Sequence, residues 1–471
     1  MPPHNRPAPG IVHLGLGAFY RAHGAIYTAE AIKASGGNWG IIGVSLMRPD
    51  QRDLLAPQGF AYTALELGPE GKTAQVLDVI SDILVARENP EAVLAAMADP
   101  AIKIVSLTVT EKGYCRAPAT GALDQSHPAV VYDLANSLPR SSVGFLVRAL
   151  QRRMAAGLPP FTVLCCDNLP ENGNAVRGVV LEMATLIDPA LADWIRQNCA
   201  FPSTMVDRIV PATKPEDISD LARKTGILDV SPVMHEPFRQ WVIEDNFVNN
   251  DRPDYAAAGA QMVSDVTVFE HMKLRCLNGT HSALAYLGFL AGHQTICDTV
   301  TNPAFAAYCR SLWASEIIPC LTPPEGVNLS QYAEALFVRY SNPAIRHLTS
   351  QIAMDGSQKL PQRMLETISE NLKAGRESRG LILAVAAWIR YVGGLDENGH
   401  PIKVQDPMAN DLRAFYNSAK SPEGKVEAFL KASAIFPPSL ASTPAFRVGL
   451  VDALSALIQH GAQACVAKIA R

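Results

Sequence analysis

The first half of the chain alternates short apolar runs with longer stretches of helical periodicity. Ile11–Leu14, Gly40–Leu46, Ile104–Val109 and Phe161–Cys166 are short, rich in Val and Ile and bounded by turn residues, as strands buried on both faces are. Between them Ala22–Ala34, Pro90–Ala98, Ser142–Ala155 and Gly173–Ile187 repeat apolar residues at i, i+3 and i+4, which predicts helices packed on one face. Strands alternating with helices predict a parallel sheet. The β-rich stretch Phe60–Leu84 interrupts the rhythm and predicts an added hairpin within the same domain.

From about Glu270 the texture changes to long amphipathic helical segments, Glu270–Leu290 and Arg379–Val392 among them, punctuated by Pro and Gly at Pro323–Gly326 and Ser421–Gly424. The expected boundary falls near residue 268, giving domains 1–268 and 269–471. A chain of 471 residues suits two large domains. No internal repeat or low-complexity tract stands out, and Pro2–Pro9 reads as a frayed leader.

Composition narrows the function. Lys and Arg number 41 against 45 Asp and Glu, with 48% hydrophobic residues, so neither disorder nor a nucleic-acid partner is expected. Nine scattered cysteines, never spaced C-x-x-C, point to reduced thiols and a cytoplasmic protein without a zinc framework. The start lacks the apolar stretch of a signal peptide, and the longest apolar spans, Gly380–Ile389 and Ala283–Gly292, run only about ten residues against the ~18 of a bilayer helix. A soluble protein with no membrane partner is expected.

Ile11-Val-His-Leu-Gly15-Leu-Gly17-Ala-Phe-Tyr20-Arg-Ala-His23 follows a predicted strand and opens a predicted helix, the setting of a dinucleotide-binding turn. Gly15 permits the tight turn, and Gly17, Ala18 and Phe19 open the helix whose N–H groups would meet a pyrophosphate. Tyr20 stands where a third Gly would close-pack helix on strand, so a plain strand–helix turn is an equal reading. After the second strand, Asp50 would favour NAD and Arg48 the extra phosphate of NADP, and a surface turn accounts for both equally well.

Glu270-His-Met-Lys273-Leu-Arg-Cys-Leu-Asn278-Gly-Thr-His281 begins the second half. At about 100° per residue, Lys273, Glu270, His281 and Asn278 share one arc of an otherwise apolar helix. Such an arc is either a solvated face or the wall of a cleft between domains, where burial would lower the lysine pKa and make its amine a base near neutral pH. Asp167-Asn168-Leu-Pro-Glu-Asn172 ends a predicted strand, where an Asn168 amide could donate to a developing oxyanion with Asn278 as a second donor. Asn is also a common turn former.

Taken together, Gly15-Leu-Gly-Ala-Phe-Tyr-Arg-Ala-His23, Thr108-Val-Thr-Glu-Lys-Gly-Tyr114, Cys166-Asp-Asn-Leu-Pro-Glu-Asn-Gly173, Met205-Val-Asp-Arg-Ile209 and Lys273-x4-Asn278-x2-His281 resemble the mannitol dehydrogenase family of polyol-specific long-chain dehydrogenases. The match runs in order along nearly the whole chain. Val105–Cys115, Glu236–Phe247 and Gln351–Arg363 most resemble its fructuronate reductase branch. The resemblance implies an α/β protein: an N-terminal Rossmann-type dinucleotide-binding domain, a largely α-helical C-terminal substrate domain and the substrate lying between them.

It also implies metal-independent hydride transfer between NAD, less so NADP, and a small sugar acid or polyol, by a monomer or weak homo-oligomer. D-fructuronate and D-mannonate are the expected pair, a mannitol-type polyol or ketose the alternative, and a non-catalytic NAD-binding sensor the second alternative. By motif match Lys273 is the general acid/base, Asn168 and Asn278 form the oxyanion pocket, and His281 orients a substrate hydroxyl. Thr110, Glu111 and Asp207 fall on the cofactor side and Glu270 on the proton path. Gln351 stands where mannitol-oxidising members carry an Arg, while Lys359 and Arg363 offer cations to a substrate carboxylate and Arg239 is a further candidate for ligand contact.

Overall fold

A computed structural model describes residues 6–117, 120–432 and 434–469. Contacts divide the chain into two units, Met1–Thr267 and Val268–Arg471.

The first unit is built on five parallel strands. In chain order its strands are β1 (Pro9–Leu14), β2 (Gly40–Ser45), β3 (Tyr62–Gly68), β4 (Gly71–Leu77), β5 (Ile80–Val85), β6 (Ile104–Leu107), β7 (Thr162–Cys165), β8 (Thr204–Asp207), β9 (Val233–His235), β10 (Gln240–Glu244) and β11 (Gln261–Val263). The main sheet runs β5-β2-β1-β6-β7, so the order reverses between β1 and β6. That reversal opens a crevice at the carboxyl ends, where Leu14 pairs with Leu107. The strands are the expected ones: β1 starts two residues earlier and ends as expected, while β2, β6 and β7 end one or two residues short. They are almost wholly apolar because both faces are covered: Pro90–Ala98, Ser142–Ala155 and Asn172–Ile187 pack on one, and Gly24–Ser35 with β10 on the other.

Three expectations need correction. The Phe60–Leu84 stretch is a hairpin only as far as Leu77: β3 and β4 pair antiparallel while β5 joins the main sheet as its edge. Apolar runs of equal length do not reveal which sheet they enter. The helix expected at Ala22–Ala34 begins at Ala18 and breaks at His23, resuming as Gly24–Ser35. Part of the supposed leader is anchored, since Ala8 accepts the Gly40 N–H at 2.9 Å and Arg6 donates to the Gly59 carbonyl; residues 2–5 lie outside those described.

The regular elements of the second unit are all helices among its described residues, joined by loops and two isolated β-bridges, Thr295 with Leu348 and Leu395 with Pro401. Its core centres on Arg379–Val392, buried along most of its length and packed with Thr280–Leu290 and Pro444–Ile469. Glu316 accepts the Gly380 and Leu381 N–H groups, satisfying the start of that buried helix from outside it. No helix among the described residues is long and apolar enough to cross a membrane.

Candidate active site

In the first unit the crevice is furnished by the ends of β1, β2, β6 and β7. Gly15 adopts φ +90°, and a Cβ there would meet the Thr108 carbonyl oxygen at 2.3 Å, so the turn requires glycine on two counts. Gly15 and Leu16 both donate to the Val44 carbonyl, at 2.9 and 3.2 Å, which seats the turn at the sheet's end. The helix Ala18–Ala22 follows with Gly17 as its N-cap and no side chain capping it, so its first N–H groups have neither intrahelical acceptor nor side-chain substitute. Ala18 is exposed, and Phe19 stacks on His23 at 5.1 Å. This uncapped turn fits the pyrophosphate of a dinucleotide.

Beneath the turn lies a polar network that the glycine spacing does not announce. His13 is fully buried, with Nδ1 2.8 Å from Ser106 Oγ and Nε2 2.8 Å from Thr108 Oγ1. Thr108 Oγ1 in turn donates to the Gly15 carbonyl at 2.9 Å. Burial holds the His13 imidazole well below its usual pKa, so the ring is neutral and links two hydroxyls.

At the next strand end, Asp167 accepts from Val109 N at 2.9 Å, Thr110 N at 3.0 Å and the Tyr114 hydroxyl at 2.5 Å. Burial pushes its carboxyl above the usual range, against the pull of these three donors. The clamp fixes Thr110, a non-glycine residue at φ +66°, and presents Thr110 and Glu111 at the surface. Asn168 follows as an exposed residue, while Asn172 is buried and ties the Asp167 carbonyl to Thr204 on β8. Asp207 is buried at the end of β8. Arg48 and Asp50 pair with each other at 3.5 Å on an exposed turn after β2. Arg239 belongs to a first-unit cavity of about 280 Å³, where it pairs with Glu30, donates to the Ala258 carbonyl at 3.2 Å and lies 4.5 Å over the Tyr27 ring.

In the second unit the expected α-helix is not one: Thr267–Met272 is α-helical, Lys273–Gly279 is a π-helix, and Thr280–Leu290 returns to α. A π turn closes i to i+5, the spacing of Lys273 and Asn278, so the arc drawn at 100° per residue is re-phased there. Lys273 and His281 are buried at 7% and 6% exposure, whereas Glu270 and Asn278 are half-buried. The bland expectation of a solvated face therefore fails for the lysine and the histidine. Gly279 makes this possible, because a Cβ there would meet the Arg363 carbonyl oxygen at 2.6 Å. Close approach brings the π turn against a second one, Pro361–Leu365, which carries Arg363.

His281 stacks on Tyr340 at 5.2 Å and meets the edge of His347 at 4.6 Å. Burial first, then the charges of His347, Arg363, Arg339 and Lys359, hold its imidazole well below 6.5. His347 is pushed down to about 4 by burial and Arg339. Arg363 donates to Ser282 Oγ at 2.9 Å, and Lys359 donates to the Met354 carbonyl at 2.7 Å beside Asp355 at 3.7 Å. Gln351 is exposed on the short helix Thr349–Ile352.

Asn278 Oδ1, His281 Nε2 and His347 Nδ1 are each buried without a hydrogen-bond partner among the described residues. Each such atom costs about 1–3 kcal/mol, a cost that a polyhydroxylated ligand would offset. Arg339 and His347 escaped the sequence reading. Each stands among other polar residues, Arg339 before Tyr340-Ser-Asn342 and His347 after Arg346, without a motif to mark it.

The fold and both site regions match known families along most of the chain. Residues 9–256 match the model of the mannitol dehydrogenase Rossmann domain and residues 265–458 that of the mannitol dehydrogenase C-terminal domain. The chain belongs to the mannitol dehydrogenase family.

It is accordingly an oxidoreductase acting on CH–OH groups with a nicotinamide dinucleotide. D-mannonate oxidoreductase of Escherichia coli (strain K12) is 46% identical over 99% of this chain and 96% of its own. Mannitol 2-dehydrogenase of Phaeosphaeria nodorum is 40% identical over 98% of this chain and 81% of its own. The solved Pseudomonas fluorescens mannitol 2-dehydrogenase, a ternary complex with NAD and D-mannitol, superposes with a TM-score of 0.88 at 38% identity, covering 98% of this chain and 94% of that one.

Proposed function

We propose that this family member interconverts the ketone of D-fructuronate and the secondary alcohol of D-mannonate with NAD, NADP being the poorer cofactor. The observation that carries the choice of a sugar acid is the cationic side chains beside His281: Arg363 donates to Ser282, the next residue, Lys359 lies one turn before Arg363, and Arg339 precedes the Tyr340 ring stacked on His281, so a carboxylate would meet both charge and directed donors. The similarity to D-mannonate oxidoreductase supports the same choice. In this reading residues 1–268 form the dinucleotide-binding domain and 269–471 the substrate domain.

The bound nicotinamide supplies the hydride in reduction and takes it up in oxidation. In reduction Lys273 donates a proton from its ammonium form to the oxygen that gains charge, and in oxidation the neutral amine removes that proton. Asn168 and Asn278 donate amide hydrogens to the same oxygen, so its charge is met by dipoles already in place. His281 orients a neighbouring hydroxyl, and Glu270 passes the proton between Lys273 and water. On the cofactor side, Gly15, Gly17, Ala18 and Phe19 would cradle the pyrophosphate, Asp50 would meet the ribose, and Thr110, Glu111 and Asp207 would complete the dinucleotide site. The protein acts as a monomer or weak homo-oligomer in the cytoplasm.

The test is a side-by-side assay of fructuronate, tagaturonate and fructose with NADH and NADPH. The keto acid with NADH is expected to give the highest kcat/KM. Fructose winning by a wide margin would replace the acid by a neutral ketose and mannitol-type chemistry, the second reading that the similarity to mannitol 2-dehydrogenases supports. A preference for NADPH would overturn the role given to Asp50.

A further inference from the structure

We infer that His347 is a second substrate-binding imidazole, set beside His281 so that the two rings hold adjacent hydroxyls of the open-chain substrate. The inference deepens the proposed function and rests on its placing of substrate at His281. The rings meet edge to face, 4.6 Å between centroids at 71°, while Tyr340 covers another side of His281. Neighbouring carbons of an open chain carry hydroxyls a few ångströms apart, a spacing that two touching imidazoles can serve together.

The backbone, not a helix, aims the His347 ring. Its N–H donates to the Ile345 carbonyl at 2.9 Å, its carbonyl accepts the Ile296 N–H at 3.0 Å, and Leu348 forms an isolated antiparallel bridge with Thr295, so the backbone is held at the ring and just after it. His347 Nδ1 and His281 Nε2 are each buried and lack a hydrogen-bond partner among the described residues. Two such nitrogens on touching rings are a costly arrangement for packing alone, and a natural one for a ligand rich in hydroxyls. Burial, with the surrounding cations second, keeps both rings uncharged, leaving each one donor and one acceptor nitrogen. A neutral pair of this kind can accept from one hydroxyl and donate to the next, which reads configuration as well as presence.

The experiment compares wild type with His347→Phe and His347→Asn on fructuronate and on tagaturonate, its C4 epimer, with NADH. His347→Phe keeps an aromatic edge against His281 and removes both nitrogens. It is expected to raise KM for the preferred epimer at least tenfold with kcat within threefold, and to compress the epimer ratio in kcat/KM. His347→Asn should recover part of the loss, and NADH affinity should stay at the wild-type value in both. A His347→Phe enzyme with wild-type KM and epimer ratio would show that the ring only packs, and would overturn the inference. So would equal losses on both epimers without recovery by Asn. If the wild-type enzyme turns over fructose and neither keto acid, the acid substrate fails by itself, and the same variants are judged on fructose against tagatose.

Discussion

The Tyr20 ring lies flat on His13, with centroids 3.3 Å apart and planes 7° from parallel. Tyr20 occupies the place of the third glycine in the dinucleotide fingerprint, whose usual service is to let helix and strand touch. Here an aromatic slab fills the gap instead, and the histidine beneath it reaches Ser106 and Thr108 and, through Thr108, the carbonyl of Gly15.

Restoring the fingerprint should therefore harm the protein. Tyr20→Gly removes a ring that is 2% exposed, and is expected to cost about 3–5 kcal/mol, as Phe→Ala does in cores, with about 1 kcal/mol more for glycine in a helix. Urea unfolding measures the loss, and the NADH KM should rise with it. A variant as stable as wild type would mean that the stack fills no needed space.

Asp167 should behave as a loop clamp. Asp167→Ala strips the acceptor from two backbone N–H groups and from the buried Tyr114 hydroxyl, a loss of about 1–3 kcal/mol from that hydroxyl alone. Thr110, released from positive φ, should relax and weaken NADH binding several-fold by fluorescence titration. Asp167→Asn keeps one acceptor oxygen and should fall between. Unchanged NADH affinity in the Ala variant would separate Thr110 and Glu111 from the cofactor.

How much of this was legible in the sequence depended on periodicity. Apolar runs revealed β1, β2, β6 and β7 because burial on both faces leaves them almost no polar residue, and the central helix Arg379–Val392 showed in an apolar run, Gly380–Ile389, too long for such a strand. The break at His23 was hidden because its neighbours Ala22 and Gly24 are as apolar as helix interior, and the ring is placed by Phe19, Tyr27, Trp241 and the Gln240 carbonyl, two of them more than 200 residues away. The π turn at Lys273 was hidden because a period of 3.6 is assumed before it is sought. Lys273, Asn278 and His281 were found by motif, whereas Arg339 and His347 reach His281 only through tertiary packing.

His235 and His347 should each lower stability as pH falls from 6.5 to about 4, opposed in part by Glu316, whose carboxyl burial raises to about 7 and which therefore favours the folded state as pH falls. His235 and His347 both have pKa values lowered to about 4 in the folded state, chiefly by burial. Below the unfolded value of about 6.5 the unfolded chain binds more protons, so the stability these neutral rings confer is present above that pH and lost as pH falls toward 4. Each ring corresponds to about 3 kcal/mol over that span. Urea midpoints across the range should fall accordingly, and His347→Gln should flatten the profile by about one ring's share. An unchanged slope in that variant would show that His347 protonates as readily folded as unfolded.

Lys273 should be separable from its surroundings. Lys273→Ala is expected to lower kcat by about 10²–10⁴-fold, the usual reach of a positioned acid or base, while NADH binding persists. Because the side chain is buried, its removal leaves room for a small amine, and added ethylamine should restore part of the rate in proportion to its neutral or charged form as the direction of reaction requires. Wild-type kcat in the variant would remove the lysine from the chemistry. Loss of NADH binding alongside kcat would make its role structural.

Arg363 offers the sharpest division between an acid and a neutral substrate. Its guanidinium donates to Ser282 and bears on His281, and its carbonyl oxygen is what Gly279 must clear, so the side chain can be changed without disturbing the backbone contact between the two π turns. Arg363→Gln keeps an amide for Ser282 and removes the charge. A hydrogen bond to a charged group contributes about 1.5–3 kcal/mol, so KM for a sugar acid should rise about tenfold to a hundredfold while KM for fructose stays within a factor of a few. Matching increases for both substrates would mean that Arg363 shapes the pocket and does not read the carboxylate. The charge preference would then rest with Lys359 and Arg339, where Lys359→Met and Arg339→Gln assayed on the same two substrates would locate it.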